Sequence, residues 1–286
     1  MMTITIVGLG LMGGSLALAL AGFHGAHIIG VNRSEAALRE ALDKDMLQEG
    51  YVLNHETAQK AFSRSDLVIL CQYPGAAMRF LEEYARYAKP GSVWTDVVGI
   101  KTAIIEQAKR YLPQEVEFVG GHPMAGREVS GLESAQETLF NGCNYVICPT
   151  EDNTPRALAL IRELALFIGA GKITESTPQH HDAMIAYTSQ MAHVLAATIV
   201  DHPLLFESKG FEGGSFRDLT RVATMNAEMW SELFVLNAPA LNDVLRTLEN
   251  GLTDIRKCIE ERDEEALQNH LANSSRRKEE WKTWNK

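Results

Sequence analysis

Along this chain the period of the hydrophobic positions changes once. Up to about residue 175, short apolar or β-branched runs recur: TITIV (3–7), HIIGV (27–31), DLVILC (66–71), SVWTDV (92–97), VEFVGG (116–121) and YVICP (145–149). Between them lie segments with helical apolar spacing, such as SEAALREALDKD (34–45) and AMRFLEEYARYA (77–88). Strands alternating with helices predict a parallel sheet with crossover helices. After about Thr177 the strand pattern stops. Two long helical stretches follow, over 178–202 and 237–284. The pattern therefore predicts an α/β domain over 1–175 and an all-helical domain over 176–286. The charge run near the C-terminus reads as a solvated helix face.

The first strand runs into GLGLMGGS, which supplies Gly8, Gly10 and Gly13 in the G-x-G-x-x-G spacing and opens the apolar helix SLALALAG. Alone the spacing is weak, but strand before and helix after make it a dinucleotide fingerprint. One glycine makes the tight turn, the second lets backbone approach a pyrophosphate, and the third lets helix and strand pack closely. Leu11 and Met12 lie in the same turn, where N–H groups at a helix start face an anion. The first domain is thus expected to be a Rossmann-type nucleotide-binding domain. At the end of the second strand an NAD site usually carries a carboxylate for the ribose hydroxyls. Here Asn32, Arg33 and Ser34 stand instead. Arg33 could pair with a 2′-phosphate, so NADP is slightly favoured over NAD.

Three further features bear on chemistry. GGHPMAG (120–126) places His122 among glycines and a proline at a strand end. In the helical part, Ser189 and His193 are four apart and share a helix face with His181. Arg217 and Arg221, also four apart and close to a Gly-Gly turn, suggest a site for a carboxylate, which guanidinium matches in a planar fork.

With these residues noted, the chain resembles the prephenate/arogenate dehydrogenase family of tyrosine biosynthesis. The resemblance runs through GLGLMGGS, TDVVGIK, GGHPMAGREVSG, SQMAH and FRDLTRVA to Trp230, covering nearly the whole chain in order. It implies a nucleotide-binding domain followed by a helical dimerisation domain, with the active site between them. The implied reaction is oxidative decarboxylation of prephenate to 4-hydroxyphenylpyruvate, or of arogenate to tyrosine. His122 matches the catalytic histidine that bonds the ring hydroxyl. Glu128, Ser189 and His193 match positions lining the substrate pocket. Arg221 matches the arginine holding a substrate carboxylate, and Arg217 a basic position near the mouth. Gly99 stands where the family often has a serine bonded to the catalytic histidine; a water, Ser92 or Thr95 is expected to take over that contact.

Composition sets limits on the alternatives. A net charge of -10 disfavours nucleic acid, since phosphate contacts need a basic face. Cys71, Cys143, Cys148 and Cys258 contain no CxxC pair and read as reduced structural thiols, with no metal site expected. No charge-free apolar run reaches about 18 residues, so no membrane span is expected. The N-terminus enters a strand without a basic leader, so a cytoplasmic protein is expected. Other enzyme classes with a similar glycine motif are β-hydroxyacid dehydrogenases and imine reductases; the former usually carry a catalytic lysine on the first long helix after the boundary, where 178–202 has none. A non-enzymic NADP-binding regulator is the remaining alternative. A homodimer is expected because the helix over 183–200 is apolar nearly all round and needs partner surface.

Overall fold

The computed structural model describes residues 1–127 and 129–284. Residues 1–238 form one compact unit and 239–286 a second. The expected junction near residue 175 lies inside the first.

Each apolar run becomes a strand: β1 (Thr3–Val7), β2 (His27–Asn32), β4 (Leu67–Leu70), β5 (Val93–Asp96), β6 (Glu117–Pro123) and β7 (Asn144–Cys148). Two strands were not anticipated, β3 (Glu49–Val52) and β8 (Lys172–Glu175). Both are four-residue strands at the two edges of the sheet, and neither carries a fully buried residue. Among the described residues, eight strands form one sheet in the order β3-β2-β1-β4-β5-β6-β7-β8. All neighbours are parallel except β6 and β7, which run antiparallel. Strands β1, β4, β5 and β6 therefore end on the same side of the sheet. In open parallel sheets that carboxyl edge, where strand order reverses, is the ligand crevice.

Helices cover both faces. On one, α1 (Leu11–Ala19) and α6 (Pro155–Phe167) pack Leu16, Ile161 and Leu164 onto Ile4, Ile6 and Ile69. On the other, α3 (His55–Phe62), α4 (Pro74–Tyr84) and α5 (Thr102–Tyr111) pack Phe62, Phe80 and Ile104 onto Val68, Leu70 and Trp94. Helix α2 (Glu35–Asp43) lies beside β3.

The stretch expected as one helix from 178 runs continuously to Val200, but not as a uniform α-helix. It comprises α7 (Pro178–Ile185), a π-helical turn (Ala186–Gln190) and α8 (Met191–Val200). By length and composition alone it could cross a membrane, with a mean hydropathy of 1.3 in its most apolar window. Residues 183–200 of it carry no Asp, Glu, Lys or Arg, so the expectation that no charge-free run reaches this length is corrected. However, His181, Asp182 and Gln190 are buried on it and hydrogen-bonded to protein partners, while Met184 and Tyr187 stand exposed. Helices α9 (Gly214–Thr220) and α10 (Ala227–Leu236) complete the first unit.

The second long stretch is also divided. Helix α11 (Ala238–Glu261) stops where Arg262 takes a left-handed backbone at φ 57°, and α12 (Glu264–Trp284) starts anew. The Asp263 carboxylate accepts the Ala266 N–H at 2.9 Å, an N-cap that restarts the helix.

Candidate active site

The glycine turn is built as its spacing demands. Gly8 sits at φ 94°, a backbone that favours glycine, and its N–H donates to the Val31 carbonyl at 2.9 Å. A Cβ on Gly13 would stand 1.9 Å from the Gly8 carbonyl oxygen, so only glycine lets α1 approach β1 this closely. Gly10 has nothing within 4 Å of where its Cβ would project. Beside this turn the Gln72 Oε1 is buried without a hydrogen-bond partner, and its Cγ lies 3.1 Å from the Cβ position of Gly8. Open space at Gly10, a helix N-terminus at Leu11 and Met12, and an orphaned acceptor together fit a dinucleotide. Asn32, Arg33 and Ser34 follow on the adjacent strand end. Ser34 spends its hydroxyl capping α2, accepting the Ala37 N–H at 3.3 Å, while Arg33 is exposed.

His122 lies near the end of β6, on the carboxyl edge. The loop after it folds back onto the glycine helix: the Gln136 N–H donates to the buried Ser15 hydroxyl at 2.9 Å. His122 and the glycine turn therefore belong to one crevice.

Beneath His122 the polar groups are joined in sequence. His122 Nδ1 lies 2.8 Å from His181 Nε2, and His181 Nδ1 lies 2.8 Å from Asp182 Oδ1. The Asp182 carboxylate also accepts the Lys101 N–H at 2.7 Å and the Thr102 N–H at 2.9 Å, at the start of α5. Asn237 donates to the Asp182 carbonyl at 2.9 Å and to Gln190 Oε1 at 2.8 Å. On the sheet side, Lys101 and Asp96 form a fully buried ion pair. Lys101 Nζ also donates to the Gly121 carbonyl at 2.8 Å, and the Gly121 N–H donates to Asp96 at 3.2 Å. Gly121, the residue before His122, is thereby held at both its N–H and its carbonyl.

These surroundings set protonation. Burial, then the His181 and Lys101 charges, hold the His122 imidazole well below its ordinary value of 6.5, against an upward pull from Asp182. Burial lowers His181 too, with the Asp182 hydrogen bond pulling the other way. Burial alone would raise Asp182, but bonds from His181, Thr102 and Lys101 outweigh it and leave the carboxyl below its usual range. Near pH 7 the array thus consists of two neutral imidazoles and one carboxylate.

The remaining sequence candidates divide. Ser189 and His193 meet on the π-turn and α8, where His193 Nδ1 donates to the Ser189 carbonyl at 3.0 Å. Trp230 of α10 stacks on the His193 ring at 3.6 Å between centroids. Arg221 begins the turn after α9 that packs against α8, and Arg217 faces Glu212 at 4.0 Å. Glu128 lies outside the described residues.

Two expectations need correction. Neither Ser92 nor Thr95 can stand in for the family serine. Ser92 Oγ donates to the Lys89 carbonyl at 2.6 Å, at the opposite end of β5. Thr95 Oγ1 is buried and donates to the Val119 carbonyl at 2.7 Å. The place of the missing side chain is filled from α10: Leu233 Cδ2 stands 3.2 Å from the Cβ position of Gly99. Sequence reading also passed over Asp182, Lys101 and Asp96, and placed His181 on a helix face without a role. The His-Asp dipeptide preceding SQMAH is visible in the sequence, but nothing in it shows what it faces.

Comparison with known proteins agrees with this architecture. Residues 16–174 match the family model described as prephenate dehydrogenase, nucleotide-binding domain, and residues 177–273 the one described as prephenate dehydrogenase, dimerization domain. The prephenate dehydrogenase of Bacillus subtilis strain 168 is 30% identical over 93% of this chain and 72% of its own length. The crystal structure of A. aeolicus prephenate dehydrogenase with hydroxyphenyl propionate and NAD+ superposes with a TM-score of 0.87 at 26% identity, covering 98% of both chains. Synechocystis arogenate dehydrogenase gives 0.81 at 28% identity over 98% of this chain and all (100%) of its own. A nucleotide-binding α/β sheet, a histidine at its carboxyl edge and two matching family models lead to one conclusion: this chain belongs to the prephenate dehydrogenase family.

Proposed function

We propose that this oxidoreductase catalyses the NAD(P)-dependent oxidative decarboxylation of prephenate to 4-hydroxyphenylpyruvate, or of arogenate to tyrosine, within tyrosine biosynthesis. The observation that carries the reading is His122, neutral and held at the crevice edge, with Nε2 free of protein partners among the described residues. A nicotinamide dinucleotide held by the glycine turn would supply the acceptor for the hydride on the ring carbon bearing the hydroxyl. Positive charge then builds on that carbon, and His122 Nε2 offsets it by accepting the hydroxyl hydrogen bond. Carbon dioxide leaves from the opposite ring carbon as the ring becomes aromatic, and the phenol keeps the proton. Aromatisation drives the reaction, so the protein mainly orients and polarises.

Gly8, Gly10, Leu11, Met12 and Gly13 would hold the pyrophosphate. Asn32, Arg33 and Ser34 would face the adenosine ribose, and exposed Arg33 supports a preference for NADP. Ser189, His193, Arg217, Arg221 and Glu128 would receive the substrate, with Arg221 on a carboxylate. The partly uncovered apolar helix and the dimerisation-domain match support a homodimer. Four free thiols suit a cytoplasmic enzyme. The test is reduced-nucleotide absorbance with prephenate or arogenate and each nucleotide. Turnover of at least one substrate is expected, faster at low NADP+ than at low NAD+. No turnover of either substrate with either nucleotide would refute the assignment.

A further inference from the structure

We propose that His181 and Asp182 are positioning residues that fix His122 in the tautomer with the proton on Nδ1, leaving Nε2 as the acceptor. This rests on the functional reading above only for its kinetic consequence; the tautomer itself is a property of the resting protein.

The direction of the chain follows from its end. A carboxylate can only accept. Asp182 accepts two backbone N–H groups at the start of α5, which pins its oxygens in place. The 2.8 Å contact at His181 Nδ1 therefore requires the proton on that nitrogen. A neutral His181 then has a bare Nε2, and the 2.8 Å contact to His122 Nδ1 requires the proton on His122. In the reverse arrangement a bare His181 Nδ1 would face the carboxylate, two acceptors at hydrogen-bond distance in a buried site. That costs the unmade bond as well as the repulsion. A neutral His122 with Nδ1–H has its lone pair at Nε2, the only ring atom left for a ligand.

The structure also shows why the orientation is needed here. Where the serine of the family pattern would stand, Leu233 packs against Gly99, so no hydroxyl from that position orients the His122 ring. His181 Nε2 accepts from its Nδ1 instead. Asp182 is in turn held by Lys101, Thr102 and Asn237, which leaves the array little freedom to reverse.

The experiment is nitrogen-15 NMR of the histidine rings in the full-length protein near pH 7, with assignment by His122→Asn and His181→Gln. Protonated and bare ring nitrogens resonate far apart, so the tautomer is read directly and without substrate. In the wild type His122 is expected as Nδ1–H with bare Nε2. Asp182→Ala removes the acceptor that fixes the direction, so His122 should then populate both neutral tautomers. His181→Gln keeps an acceptor for His122 and should retain the wild-type His122 tautomer. With a substrate in hand, Asp182→Ala should lower kcat about ten-fold or more with KM little changed, as loss of the group that orients a histidine does. A wild-type His122 found as Nε2–H, or a folded Asp182→Ala protein with an unaltered His122 tautomer, overturns the proposal. If Asp182→Ala does not fold, the wild-type spectrum alone decides. An enzyme inactive towards both substrates but with the expected spectra would refute the functional reading and leave the tautomer assignment standing.

Discussion

His122→Asn keeps a polar side chain of similar reach but replaces the imidazole nitrogen at the ring hydroxyl with an amide oxygen, a weaker acceptor. Loss of one such electrostatic contact typically costs about 10²–10³ in rate. The variant should bind nucleotide as the wild type does and lose kcat within that range. The pH profile carries a sharper expectation. Burial disfavours the charged ring, so His122 takes up a proton only well below 6.5. A protonated ring cannot accept, so wild-type kcat should stay level through neutral pH and fall only on the acid side of the ordinary histidine range. In His122→Asn that acid limb should be absent; stopped assays from pH 4.5 to 8 would reveal either. Arg33→Ala should weaken NADP more than NAD in fluorescence titrations, because only NADP carries the 2′-phosphate; an equal loss would mean Arg33 does not contact it. At this scale His122 was legible because glycine and proline mark its turn and a long motif surrounds it. His181 and Asp182 were not: on a helix of mostly apolar residues, a His-Asp pair gives no sign of which strand end it faces. Only the fold puts residues 59 positions apart within a hydrogen bond.

Among elements, the β1–α1 turn offers a paired test. Gly13→Ala forces a methyl into the Gly8 backbone, which cannot yield as a flexible side chain would. It should destabilise the protein by about 1–3 kcal/mol, as overpacking does, and abolish nucleotide binding. Gly10→Ala meets no protein atom within 4 Å, so the melting temperature should hold while nucleotide Kd rises. Calorimetry with nucleotide titration separates the two; equal melting temperatures for both variants would count against this packing. The six interior strands were legible as apolar runs, whereas β3 and β8 were not, because partly exposed edge strands need no continuous apolar sequence. The π-turn was equally hidden. Its buried Gln190 donates to the Leu233 carbonyl at 3.1 Å, and this tertiary bond, unlike periodicity, cannot be read locally. Nor did the pattern expose the break at Arg262, since charged residues run without interruption through Glu260–Glu265.

For the whole molecule, the helix Pro178–Val200 is apolar yet leaves only 22% of its most apolar window buried within the chain. Such a surface argues for a partner copy. Light scattering at micromolar concentration should give twice the 31.6 kDa chain mass; a monomer mass would sink the dimer. The change of period near residue 175 was visible in the sequence, but the contacts that cross it were not. Asp182 reaches back to the first peptide groups of α5, and Asn237 holds it from the far end of α10.

Those contacts bear on how this enzyme can be recombined. A nucleotide-binding half exchanged between relatives carries His122 with it, but leaves behind the two residues hydrogen-bonded in line with it. A chimera joined near residue 175 keeps that array only if its new neighbour offers a His-Asp pair at the same depth. The seam between two apparently modular halves is therefore crossed by buried hydrogen bonds, and a change on one side must be answered on the other.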